Sequence, residues 1–419
     1  MKFVHAADLH LGAPFKGIQR SDGEIARQLR DATYTAYHRI IALAIDESVD
    51  FVLFAGDCFN SDENMQVPQL RFRDGIRELD SRGIPSYVIC GNHDPLLPRQ
   101  ARCALPASCH IFPTTGTEAQ IVMRDGREFA AIFGISYGQQ RVTERLVARY
   151  RNAHPHLFSI AMLHGNLEGS VGHTNYAPFS LPELEATGFD YIALGHIHAR
   201  AEYRVDNGLA VYPGSPQGLD PTETGPHGCM LVDVSENREI DARFVPLSPI
   251  VWQSVEADAR TWETLDDVEE SLTTLLDSVS VANRETSVAL RIKCIGACFV
   301  HTQLESHAWR VEILEHLRER GAGYPFVWTE RIEWDTRPPI SVEKKRGEQS
   351  FSGEVVRLAD SFIEDPNLLY TADSKLLKEL NSLFDSANLK GYLPSLHDKD
   401  VIDRIIARAR DISLERLEK

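Results

Sequence analysis

Five short segments of this chain each run from apolar residues with strand character into side chains that bind metals. Phe3-Val4 leads to Asp8-Leu9-His10, and Phe51-Val52-Leu53-Phe54 leads to Gly56-Asp57. Tyr87-Val88-Ile89 leads to Gly91-Asn92-His93-Asp94, Ile160-Ala161-Met162-Leu163 to His164-Gly165, and Tyr191-Ile192-Ala193-Leu194 to Gly195-His196-Ile197-His198. A buried strand that ends in a polar residue presents it at the sheet edge, where α/β proteins bind ligands. Singly, each segment is ordinary; Gly-Asn-His-Asp, for one, is also turn chemistry. Five together, carrying Asp, Asn and His without a thiolate, supply enough ligands for two metal ions.

Between these runs the periodicity changes. Tyr34, Tyr37, Ile41, Ala44 and Ile45 predict a helix over residues 31–48, and Leu70, Ile76 and Leu79 another over 67–82. Strand–helix alternation predicts a largely parallel sheet covered by helices. Arg124-Asp125-Gly126-Arg127 reads as a hairpin turn, and residues 209–212, 228–234 and 240–245 as extended runs. Composition shifts near 246–249. Leu265, Val268, Leu272, Leu275 and Val279 then predict a helix, and Val288, Leu290, Ile292 and Cys294 a strand with one buried face. Leu304, Ala308, Val311 and Leu314 predict a second helix, and residues 326–334 another strand. Pro338-Pro339 closes this unit, and the charged residues 343–348 read as a linker. Beyond it the chain reads as helical, with one apolar stripe at Leu376, Leu380, Leu383 and Ala387 and another at Ile402, Ile405, Ala409 and Ile412. Such stripes either pack on the rest of the protein or dock a partner helix.

At 419 residues and 43% hydrophobic, the chain has room for two or three domains. No apolar run approaches the ~20 residues of a membrane span, and Asp8 and His10 interrupt what would be the core of a signal peptide. Seven cysteines without framework spacing point to a reducing cytoplasm. Cys103 with Cys109, and Cys294 with Cys298, lack an obvious second pair of zinc ligands. A net charge of -17 excludes a generally basic DNA-coating protein. It does not exclude a nuclease, because two divalent cations reverse the local field where a phosphate sits.

In order and ligand type the five segments resemble the signature of the calcineurin-like metallophosphoesterases, and the chain's layout is similar to that of SbcD-type DNA repair exonuclease subunits. Tyr212-Pro213-Gly214-Ser215-Pro216 matches the Pro-Gly-Ser that follows the last histidine pair in that branch. The stretch from Gln217-Gly218-Leu219 to Glu223-Thr224-Gly225 resembles a bacterial SbcD-like subgroup. The motif resemblance ends near residue 250. It implies an α/β fold: the metallophosphoesterase two-sheet β-sandwich flanked by helices over 1–248, a small α/β capping domain over 249–340, and a helical C-terminal partner-docking region over 341–419.

The resemblance also implies roles. Asp8, His10, Asp57 and His198 take one divalent ion, and Asp57, Asn92, His164 and His196 the other, with Asp57 as the bridge. The ligand set suits manganese, iron or zinc better than magnesium, and the family points to manganese. His93 stays off the metals and serves as the proton donor. Asp94 either orients that imidazole or caps a turn. Asn60 stands where archaeal and eukaryotic relatives often carry a second catalytic histidine, and an amide cannot transfer a proton at neutral pH. Asn60, whose amide can hydrogen-bond a phosphate or sugar, is a candidate substrate contact with Arg200, His173 and Tyr176. The expected activity is two-metal phosphodiester hydrolysis of DNA, exonucleolytic and with room for endonucleolytic cleavage, in concert with an SbcC-like coiled-coil ATPase. A homodimer and a cytoplasmic location fit the same reading, with no membrane partner. The alternative is a dimetal phosphatase or cyclic-nucleotide phosphodiesterase, against which the long C-terminal extension argues.

Overall fold

The computed structural model describes residues 1–419 apart from 17–22, 61–65, 98–102, 117–118, 125, 170–174, 207, 340, 366–398 and 418–419. The strands are β1 (Lys2–Ala6), β2 (Phe51–Ala55), β3 (Ser86–Ile89), β4 (Cys109–Ile111) and β5 (Gln120–Arg124). Next come β6 (Arg127–Gly134), β7 (Phe158–His164), β8 (Tyr191–Gly195), β9 (Ala201–Val205) and β10 (Gly208–Tyr212). The last are β11 (Gly228–Val234), β12 (Ile240–Pro246), β13 (Ile250–Asp258), β14 (Ser287–Ala297) and β15 (Val327–Arg337).

Two six-stranded sheets have the orders β12-β11-β1-β2-β3-β4 and β5-β6-β7-β8-β10-β9. In each, four neighbouring strands are parallel, β1 to β4 in one and β6, β7, β8 and β10 in the other. Strands β11, β12, β5 and β9 pair antiparallel at the flanks. Side-chain alternation gives the central strands two apolar faces. Phe3, Phe51, Leu53 and Ile89 meet Ile132, Ile160, Met162 and Tyr191 between the sheets. Val4, Val52 and Phe54 turn instead to Ile40, Ile41, Phe72 and Ile76 of helices Gly23–Asp46 and Gln66–Ser81. The outer face of the second sheet is covered by Tyr150, Phe179 and Phe189. Parallel strands buried on both faces read as unbroken apolar runs, which is why the runs at 51–54, 160–163 and 191–194 stand out in the sequence. Each large side chain so buried contributes about 1.5–3 kcal/mol. The parallel arrangement also sends the C-terminal ends of β1, β2 and β3 to one edge of their sheet, and those of β7 and β8 to one edge of theirs.

A third sheet has the order β13-β14-β15, accompanied by helices Leu265–Ala282 and His307–Arg320. Its Ile250, Trp252, Ala289 and Phe326 are buried with Phe15, Leu29 and Ala32 of the N-terminal region. The chain accordingly divides into two compact units, one of Met1–Ala257, Glu269–Cys294 and Ala308–Trp334, the other of Asp258–Val268, Ile295–His307 and Asp335–Lys419.

Two local expectations need correction. The helix expected from Leu304 to Leu314 is two helices, His301–Leu304 and His307–Arg320. The second turns Ile313 and Leu317 inward and leaves Val311 exposed. Residues 343–348 are not a bare linker. Ser341 caps a short helix, Val342–Arg346, by accepting from the Lys344 N–H, and Arg346 pairs with Glu343 and with Asp360 of helix Phe351–Glu364. Charge-rich composition concealed partners three residues and a helix apart. The helix expected around 402–412 is Lys399–Leu417, which packs against Phe351–Glu364; among its described side chains Ile406 and Leu414 are buried, Ile405, Ala409 and Ile412 are exposed, and that of Ile402 lies outside those described. The stripe at Leu376, Leu380, Leu383 and Ala387 lies outside the described residues.

Candidate metal centre

The strand ends converge as the parallel sheets dictate. The segment after β1 runs beside the one after β2, with Asp8 N–H donating to Gly56 O (3.0 Å) and His10 N–H to Asp57 O (3.0 Å). The sheets are tied across: the Asp8 carboxylate accepts from His196 N–H (3.0 Å to either oxygen), and His164 Nδ1–H donates to Ala55 O (2.9 Å). Four of the polar residues at these ends, Asp8, His10, Asp57 and His196, have left-handed backbone with φ of 53°, 42°, 52° and 97°. Non-glycine residues rarely adopt such angles, and clusters of them mark sites where geometry outweighs backbone comfort.

Glycines let the segments close in. A Cβ at Gly91 would lie 2.3 Å from Asp57 Oδ1 and 2.6 Å from His164 Nε2, and one at Gly195 would lie 2.0 Å from Ala55 O. No larger residue fits either place without moving a ligand.

Two groups of ligand atoms result. Those of Asp8, His10 and His198 lie within 4.8 Å of one another, as do those of Asp57, His164 and His196. Asn92 Oδ1 joins the second, 3.1 Å from His164 Nε2 and 3.0 Å from His196 Nδ1. In the first, His10 Nε2 and His198 Nε2 face each other at 3.1 Å. The far nitrogens settle the tautomers. His10 Nδ1–H donates to Asn60 Oδ1 (2.7 Å), His198 Nδ1–H to Glu223 Oε1 (2.6 Å), and His164 Nδ1–H to the Ala55 carbonyl. Each turns its Nε2 to its own group, where it offers a lone pair once that nitrogen gives up its proton. Lone pairs converging in a buried pocket repel unless a cation lies between them, so the donor set fits two divalent ions. Among the described residues no cysteine joins either group.

The electrostatics agree. Burial raises Asp8 to about 6 and lowers His10 to about 4. Burial also works against charge on Asp57 and His164, but their mutual attraction prevails, holding Asp57 low and His164 up at about 9. At Glu223 the penalty of burial is outweighed by the His198 hydrogen bond and two backbone N–H groups, bringing it down to about 2.

His93 is exposed, its N–H donating to Asp57 Oδ1 (2.8 Å) and its ring edge-on to His10 at 5.0 Å. Asp94 is buried, with one oxygen accepting from Gly91 N–H (2.7 Å) and the other from Cys58 N–H (2.9 Å). These bonds fit the turn-capping reading and brace the segments carrying Asn92 and Asp57. Asn60 stands behind His10. The Tyr176 ring lies 5.2 Å from that of His196. The Arg200 guanidinium lies over the Phe244 ring, 4.9 Å from its centroid. His173 lies outside the described residues. The bracing roles of Gly91, Gly195 and Glu223 are absent from the sequence expectations, although all three sit inside the motifs that carry the family resemblance.

Comparison with known proteins agrees with this geometry. Residues 1–200 match the calcineurin-like phosphoesterase family, and residues 252–337 match the middle domain of metallophosphoesterase YhaO. An uncharacterized metallophosphoesterase YhaO of Bacillus subtilis is 34% identical over 80% of this chain and 82% of its own length. The chain belongs to the calcineurin-like metallophosphoesterases. More distant relatives of this metallophosphoesterase include a subunit of the nuclease SbcCD of Bacillus subtilis, 26% identical over 64% of this chain and 76% of that one. The DNA double-strand break repair protein Mre11 of Thermoplasma acidophilum is 26% identical over 72% and 79% respectively. The family makes the protein a hydrolytic enzyme with two candidate metal sites. Among the described residues no helix is long and apolar enough to cross a membrane.

Proposed function

We propose that this metallophosphoesterase is a manganese-dependent DNA nuclease, an SbcD-like subunit in DNA repair and end processing. The observation that carries the reading is the convergence of two ligand groups beside one exposed histidine, in a relative of a nuclease subunit. Asp8, His10, Asp57 and His198 would hold one divalent ion, and Asp57, Asn92, His164 and His196 the other. Bound there, two such ions supply the charge that activates water and neutralises phosphoryl oxygens. Asp57 would serve both ions, and its carboxylate, accepting from the His93 N–H, keeps that residue beside them. His93, protonated, stabilises the phosphate's developing charge and gives its proton to the leaving oxygen. Tyr176, whose ring lies beside that of His196, would contact a nucleotide.

The test is cleavage of labelled single- and double-stranded DNA with manganese and with magnesium, alongside a chromogenic phosphate monoester. Manganese-supported DNA cleavage is the expected result. Turnover of the monoester without DNA cleavage would make the protein a small-substrate phosphatase instead.

For the partner, the exposed Ile405, Ala409 and Ile412 support docking of an SbcC-like coiled-coil ATPase on helix Lys399–Leu417. Ile405→Asp combined with Ile412→Asp should leave DNA cleavage intact and abolish co-purification with the ATPase. No disulfide links any of the seven cysteines, in keeping with a reducing compartment.

A further inference from the structure

The stretch after His198 that resembles one bacterial subgroup folds back onto that ligand. Gly214 (φ 79°) turns the chain where a Cβ would lie 2.6 Å from His198 O, and Ser215 N–H donates to the same carbonyl (3.1 Å). Eight residues on, Glu223 returns to the ring. Its Oε1 takes the His198 Nδ1–H at 2.6 Å, while its Oε2 accepts from Leu219 N–H (2.7 Å) and Asp220 N–H (3.2 Å). Its backbone carbonyl faces His227 Nε2 at 3.2 Å. The loop is fixed at its ends as well: Lys16 N–H donates to Leu219 O (2.8 Å), and Gly225 N–H to Trp252 O (3.0 Å) on β13.

We propose that Glu223 is a positioning residue that orients His198 as a metal ligand and sets the affinity of the Asp8, His10 and His198 site alone. Every lone pair that Glu223 uses here meets an N–H, so only a carboxylate satisfies the arrangement. A glutamine must place its NH2 either against the Leu219 and Asp220 N–H groups, donor against donor, or against His198 Nδ1. The second choice makes Nδ1 an acceptor, moves the ring proton to Nε2 and blocks the nitrogen that faces the metal. Carboxylates behind ligating imidazoles fix the tautomer and raise ligand basicity, and their loss typically costs about 10–100-fold in metal affinity. His10, by contrast, is backed by the neutral amide of Asn60. The site therefore has one carboxylate-backed and one amide-backed imidazole. Trp252, on the first strand of the third sheet, holds the far end of the loop, so β13 connects to this ligand through two hydrogen bonds and the Glu223 backbone.

The inference rests on the two-metal reading, and manganese titration of the full chain separates their failures. The probe is Mn2+ followed by calorimetry and by electron paramagnetic resonance, on the wild type, Glu223→Gln and Glu223→Ala. The expected result is two sites in the wild type. In both variants one site should weaken by about 10–100-fold while the other is kept, so that the exchange-coupled two-manganese signal gives way to a mononuclear one. Two unchanged sites in a folded Glu223→Gln protein would overturn the positioning role and leave the two-metal reading standing. Equal weakening of both sites would also overturn it, because Glu223 would then serve the fold at large. Fewer than two sites in the wild type would overturn both readings. Should Glu223→Ala fail to fold, the near-isosteric Glu223→Gln decides.

Discussion

Asp57, His164 and His196 form one ligand group, and Asp8, His10 and His198 the other, with similar donors held by different means. Around His164 the support is backbone: its ring is fixed by the Ala55 carbonyl, and Gly91 and Gly195 admit no Cβ. Around His10 and His198 the support is side chains from more distant segments, Asn60 and Glu223. Backbone support is stiff because strand hydrogen bonds define it. Side-chain support can change by a single substitution, so the second kind of site is the one evolution can retune. Asp57 belongs to the stiff half and, on the proposed two-metal reading, serves both.

That sharing gives the largest expected effect. Asp57→Ala should remove both metals and bring hydrolysis to background while the circular dichroism spectrum stays native; full metal content in that variant would dissolve the pairing of the two groups. Next in size is His93→Ala, which touches neither support. It should lose about 10²–10⁴-fold in rate with metal stoichiometry unchanged, and loss of metal would place His93 among the ligands. Gly91→Ala and Asn60→Ala then compare the two halves directly. The added methyl should displace Asp57 or His164 and empty the stiff site, whereas Asn60→Ala should weaken manganese at the other site by about 10–100-fold. Equal effects of the two variants on the same site would erase the distinction.

The smallest effect is in pH. Protons and metals compete for the same lone pairs. His164, raised to about 9 by Asp57 against its burial, stays protonated below that value, so manganese affinity at its site should climb until about pH 9. Asp8, raised to about 6 by burial, competes only below about pH 6, and His10, lowered to about 4, hardly at all. Burial works against charge on His198, but Glu223 raises it; the remaining first-site ligands therefore stop competing well before His164 does. Calorimetric titrations from pH 6 to 9 would show one affinity still rising after the other is flat. Parallel curves would mean that His164 and Asp57 do not hold the proton between them.

The two-sheet fold and the ligand-bearing segments were legible because both depend on short-range pattern. Apolar runs such as 51–54 and 160–163 follow from burial on both faces, and a polar residue next in line lands at the sheet edge whatever the rest of the chain does. The charged run at 343–348 misled for the opposite reason. Its character depends on Asp360, which composition cannot pair with Arg346.

By itself, then, the sequence determined the metallophosphoesterase family, the parallel strands and the residues that end them. Only the tertiary structure decided which imidazole nitrogen faces each group, that Asp94 braces two backbones, that Arg200 lies over Phe244, and that Glu223 stands behind His198. Apart from the local Asp94–Gly91 bond, those facts depend on contacts between residues 25 to 188 positions apart, and a contact over such separation leaves no periodicity or composition for a sequence to display.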